Sequence, residues 1–197
     1  MHIYRARHDN MPISPVRTLY GRKGNLLLLP LDVCILQTIN GTEEFRPAPE
    51  AARLIAAPIQ EEGGGRVGLI AHYDWPPLHS DAPVNPIVTV QLAPSADARG
   101  IEDLRVLAPQ VHVGDKILLR LCDCRTIEGT VRDRVDRHHY PDLGHHVRAY
   151  AVTFEQHVDR SAHGGAVRLL NNGRVFGMLI ATQNEPDGLC RALVYPA

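Results

Sequence analysis

The chain has 197 residues, 44% of them hydrophobic and 22% charged, with a formal net charge of −1. That length supports one domain with a substantial core, or two small barrels sharing an interface. The near-neutral balance supplies no global field for nucleic acid or an anionic membrane, and no apolar run approaches the roughly 20 residues of a membrane span.

In chain order, the first segment, MHIYRARHDNMP, carries basic residues with no apolar stretch behind them, so it does not read as a secretory signal. Fifteen prolines and sixteen glycines then punctuate the sequence and leave little room for helices. Between them lie short β-rich runs: GNLLLL, DVCILQ, RVGLIAH, IVTVQL, KILLRLC, TIEGTVRD, VRAYAVTF, GAVRLL and RVFGMLIA. Many short strands at even spacing predict an all-β sandwich or barrel. Only PAPEAARLIAA and ADARGIEDLRVL have the composition for a helical turn or two. The stretch from Ala93 to Val111 is rich in loop formers and divides the chain into two halves, roughly 12–95 and 108–197. Gly129, inside TIEGTV, predicts a bulge or a close backbone approach. Asn171-Asn172-Gly173 predicts a tight hairpin, because Asn and Gly tolerate positive φ.

The cysteines are Cys34, Cys122, Cys124 and Cys190. One i, i+2 pair and two distant singles are weak evidence for zinc and weak evidence for disulfides, and the plainer reading is buried free thiols suited to a reducing cytoplasm. The string RHHYPDLGHH gathers His138, His139, Asp142, His145 and His146. Such density allows a transition-metal site. Adjacent histidines point in different directions, however, and a solvated hairpin tip is the plainer reading. No metal and no cofactor are expected.

The string SAHGGAVRLLNNGRVFGMLIATQ resembles the nucleophile segment of trypsin-like serine proteases. There a Gly-Asp-Ser-Gly-Gly loop enters a strand, a glycine hairpin and a V-x-G-apolar strand. Gly164, Gly165, Val167, Gly173, Val175 and Gly177 follow that pattern. VGDKILLRLCDCRTIEGTV resembles the opening hairpin of the second barrel in bacterial members. NPIVTVQL resembles the segment carrying the catalytic Asp, and GNLLLLPLDVCIL the strand ending in the catalytic His. The resemblance implies one domain of two packed antiparallel β-barrels with few short helical turns.

It also implies acyl-transfer chemistry, in which a His activates a Ser, an Asp holds the His and backbone N–H groups receive the oxyanion. Aligned on Gly164-Gly165, the nucleophile position is His163, Ala162 replaces the Asp before it, and Ser161 replaces an oxyanion-hole glycine. Val88 stands for the catalytic Asp, and Val33, beside Asp32, for the catalytic His. With all three roles vacant, the resemblance implies an inactive protease fold that binds a protein or peptide, with Ala181, Thr182 and Gln183 lining the main cleft. An alternative is an active serine peptidase using Ser161 with His163 or with His72, the latter close to Asp74. A structural or assembly subunit is a third reading. No nucleic-acid or membrane partner is expected under any of them.

Overall fold

The structure is a computed structural model that describes residues 3–8, 11–12, 16–17, 21–23, 26–30, 36–39, 42–45, 58–61, 66–73, 85–94, 102–103, 110–121, 125–140, 145–159 and 162–196. These are nearly all strand. In the first half they form β1 (Ile3–His8), β2 (Met11–Pro12), β3 (Val16–Arg17), β4 (Gly21–Lys23), β5 (Leu26–Pro30), β6 (Leu36–Ile39), β7 (Thr42–Phe45), β8 (Pro58–Glu61), β9 (Arg66–Tyr73), β10 (Ile87–Leu92) and β11 (Glu102–Asp103). The second half comprises β12 (Lys116–Arg120), β13 (Thr126–Tyr140), β14 (His145–Phe154), β15 (Ala166–Leu169), β16 (Val175–Asn184) and β17 (Cys190–Pro196).

In the first half, nine strands form one sheet in the order β11-β4-β5-β10-β9-β8-β1-β2, with β3 added on β1, and β6 and β7 make a separate hairpin. Pairing is antiparallel except between β11 and β4, which run parallel. Glu102 and Asp103, inside a stretch whose composition allowed a helical turn, are therefore strand. The other such stretch lies outside the described residues.

The second half closes into a six-stranded barrel, β12-β13-β14-β17-β16-β15. Strict alternation explains β12: Ile117 and Leu119 are buried, while Lys116 and Arg120 face solvent. β13 and β14 make a long hairpin bent by register shifts after Val131 and after Val135, and such bulges let a long strand curve around a barrel. Gly129 sits where that curvature presses strands together: a Cβ there would lie 2.6 Å from the Thr153 carbonyl oxygen. The Asn171-Asn172-Gly173 turn forms as predicted, with Gly173 at φ +67° and the Arg174 N–H donating to Asn172 Oδ1 at 2.9 Å.

β16 opens with seven consecutive buried residues, more than a one-sided strand allows. Both of its faces are covered. Phe176 and Leu179 pack into the barrel interior with Ile117, Phe154 and Val167. Val175, Met178 and Ile180 pack on the outer side with Val147, Ala149 and Leu193, where Ile87 and Leu28 of the first half meet them. That outer cluster joins the two halves of the molecule.

Candidate functional site

The segment between β14 and β15 carries the candidate site, and residues 160–161, including Ser161, lie outside the described residues. Its ends are drawn into the barrel by Val158 and Ala162, both buried in the interior cluster. The Val158 N–H donates to Asn184 Oδ1 at 2.9 Å, and Asn184 Nδ2 donates back to the Val158 carbonyl at 3.2 Å. One side-chain amide thus takes both backbone groups of Val158, as a neighbouring strand would. One residue earlier, His157 Nε2 contacts the Glu185 carbonyl oxygen at 3.0 Å, an arrangement that requires the ring nitrogen to donate.

Gly164 and Gly165 lock the other end of the segment. The Gly164 N–H donates to the Leu179 carbonyl at 2.8 Å, and the Leu179 N–H donates to the Gly165 carbonyl at 2.9 Å. Gly164 adopts φ +88°, a region that side chains resist. A Cβ at Gly165 would lie 2.9 Å from both the Ala162 carbonyl oxygen and Leu119 Cδ1. Both glycines are therefore required by the backbone path, whatever side chain precedes them.

That side chain is His163, which is only 2% exposed. Its Nε2 lies 3.0 Å from Thr182 Oγ1 on β16. Buried polar groups hold their position through such bonds, so the imidazole is an internal brace between the Gly-Gly turn and β16. An attacking group must instead reach a substrate carbonyl and a base at once.

The remaining candidates are spread over the molecule. Val88 is fully buried in β10, paired with Leu29 on one side and Tyr73 on the other. His72 is exposed on β9, opposite Thr89. Val33 and Asp74 lie outside the described residues. The histidine string falls on the β13–β14 hairpin, where His138 faces Val147, His139 faces His146 and Tyr140 faces His145 along the ladder. The side chains of His138, His139 and His145 lie outside the description, and among the described residues no three potential ligands converge.

Ala181, Thr182 and Gln183 all line a groove of about 520 Å³. Two cross-strand rows form its floor. Ala151, Leu193 and Ala181 are register partners in one row, and Thr153, Arg191 and Gln183 in the next. Arg132 completes the wall, its Nε donating to Thr153 Oγ1 at 3.3 Å. The roles of Arg132, Arg191 and Asn184 were not anticipated from sequence. Arg191 does carry a local signal, standing exposed between the buried Cys190 and Ala192.

An all-β chain with a closed six-stranded barrel packed on a second sheet has the fold of the chymotrypsin-like serine proteases. Chymotrypsin from Cellulomonas bogoriensis superposes with a TM-score of 0.56 at 10% identity, covering 98% of this chain and 88% of that one. A glutamic-acid-specific serine protease, described as using a histidine triad in substrate binding, gives 0.54 at 18% identity over 86% and 90% of the two chains. The MamO protease domain of Magnetospirillum magneticum gives 0.51 at 11% identity over 99% and 91%. No family model and no curated protein matches the sequence.

Proposed function

We propose that this chain is a non-catalytic domain of chymotrypsin-like fold that binds a protein or peptide partner. The observation that carries the reading is the burial of His163, the residue aligned with the nucleophile, against Thr182. A side chain sealed inside the barrel has no path to a substrate carbonyl. At the position aligned with the orienting Asp, Val88 is apolar and buried, so no carboxylate there would hold an imidazole.

Binding is assigned to the outer groove over β14, β17 and β16. Ala181 and Gln183 look onto it, whereas the Thr182 hydroxyl is engaged by His163. Its two parallel cross-strand rows, one apolar and one polar, can receive alternate side chains of an extended polypeptide, and the net charge of −1 favours a protein partner over nucleic acid. The reading includes no cofactor and a cytoplasmic location.

A fluorophosphonate probe tests it, with intact-protein mass as the readout. No adduct is expected on the wild-type chain. An adduct that disappears in Ser161→Ala would overturn the reading and establish a displaced serine nucleophile.

A further inference from the structure

The groove has a chemical direction as well as a shape. Its inner row, Ala151–Leu193–Ala181, is apolar and continues the cluster that joins the two halves. Its outer row, Thr153–Arg191–Gln183, is polar. Successive residues on one face of a strand stand about 7 Å apart, which is also the spacing of alternate side chains in an extended peptide. Arg132 and Arg191 both line the groove, and among the described residues that line it none is a carboxylate. Arg191 Nε sits 3.4 Å from Glu185 Oε1. Among the described residues, Arg132 is bonded through Nε to a hydroxyl and to no carboxylate. Two guanidinium groups beside an apolar floor match a ligand with an acidic group next to an apolar one.

We propose that the partner is an acidic peptide segment, bound extended along the groove. An apolar side chain sits on Leu193, and two positions along an Asp or Glu is held by Arg132 and Arg191. This assignment rests on the peptide-binding reading above and names the chemistry of the partner. Glu185 competes with the incoming carboxylate for Arg191, so the site carries its own brake on affinity.

The test is a displayed library of random peptides, panned on the full chain, followed by fluorescence anisotropy with the best-enriched peptide. Enriched sequences are expected to carry an apolar-x-acidic pattern. The Arg132→Ala/Arg191→Ala variant should bind at least about tenfold more weakly, as loss of charge-assisted pairs implies. Glu185→Gln should bind more tightly by a few-fold, because Arg191 is then released. Both arginines are exposed, so circular dichroism should show these variants folded. Enrichment of neutral or basic peptides, or indifference to both arginines, would overturn the acidic assignment and leave the peptide-binding reading standing. A library that yields no binder at all would overturn both. Tighter binding of a single-stranded oligonucleotide than of any selected peptide would replace the acidic peptide with a phosphate backbone as ligand.

Discussion

His163 Nε2 and Thr182 Oγ1 stand 3.0 Å apart, joining the Gly-Gly turn to β16 from the inside. Replacing the hydroxyl by a methyl in Thr182→Val keeps the side chain's shape and removes this partner from a buried ring. Removing one partner of a buried polar group costs about 1–3 kcal/mol. Urea unfolding of Thr182→Val is therefore expected to show a lower midpoint at unchanged slope, whereas Thr182→Ser should stay close to wild type. Equal midpoints for Val and wild type would mean that the bond contributes nothing to stability.

His163→Ser places a hydroxyl at the aligned nucleophile position and separates a missing nucleophile from a missing site. A serine hydroxyl needs an adjacent base, and the base needs a holder. Val88 offers no carboxylate, and His163 is itself the residue removed. The variant is expected to gain neither fluorophosphonate labelling nor peptide hydrolysis. It should also lose stability, since a buried ring is exchanged for a smaller group. Labelling of His163→Ser by the probe would show that a working base is already in place.

Gly164 and Gly165 give a third prediction, because their demands differ in kind. Gly164 has a conformational demand, φ +88°, and an L-residue there costs about 1–2 kcal/mol. Gly165 has a steric one, with backbone on one side and Leu119 Cδ1 on the other. Gly164→Ala should lower the urea midpoint by that conformational cost. Gly165→Ala should cost about 1–3 kcal/mol, as overpacking does. Suppressor changes separate the two: Leu119→Val should ease Gly165→Ala and leave Gly164→Ala untouched.

How far the fold was legible in the sequence follows from the same residues. KILLR and the Asn-Asn-Gly turn are local signals, and each produced the structure its chemistry requires, whereas the Gly-Gly pair was marked by the resemblance. The brace and the groove are different, because both depend on a register shift between Leu179 and Ala181. Plain alternation from Leu179 would turn Ala181 into the barrel and Thr182 out of it. The extra residue at Ile180 reverses both, so Ala181 joins the outer cluster and Thr182 meets His163. A bulge inside an unbroken apolar run leaves no mark in the residue pattern. The partnership of Val158 with Asn184 was equally hidden, since it joins residues 26 positions apart. RVFGMLIA was legible as a strand, but the covering of both its faces was not, since it depends on the first half packing on the barrel.

Cys190 carries the pH prediction. Its side chain is fully buried, and among the described residues it is a free thiol. Desolvation by burial raises its pKa above the ordinary thiol range, with hydrogen bonds to the backbone of Val158 and Gln183 opposing the shift in part. A neutral thiol in the folded state and a thiolate in the unfolded chain mean that the unfolded chain holds fewer protons at alkaline pH. Unfolding stability then falls as pH rises. The contribution is complete below the unfolded thiol value of about 8.5 and is lost as pH climbs through the higher folded value. Tyr73 adds to the same limb at still higher pH, since burial raises its phenol as well. Urea midpoints measured from pH 7 upward should hold steady and then decline. The decline should be shallower in Cys190→Ala, whose neutral side chain has no proton to lose. Iodoacetamide should leave Cys190 unmodified in the folded protein and alkylate it after unfolding, as site-resolved mass spectrometry would show. Rapid modification of Cys190 under native conditions would mean that the end of β17 opens far more readily than its burial implies.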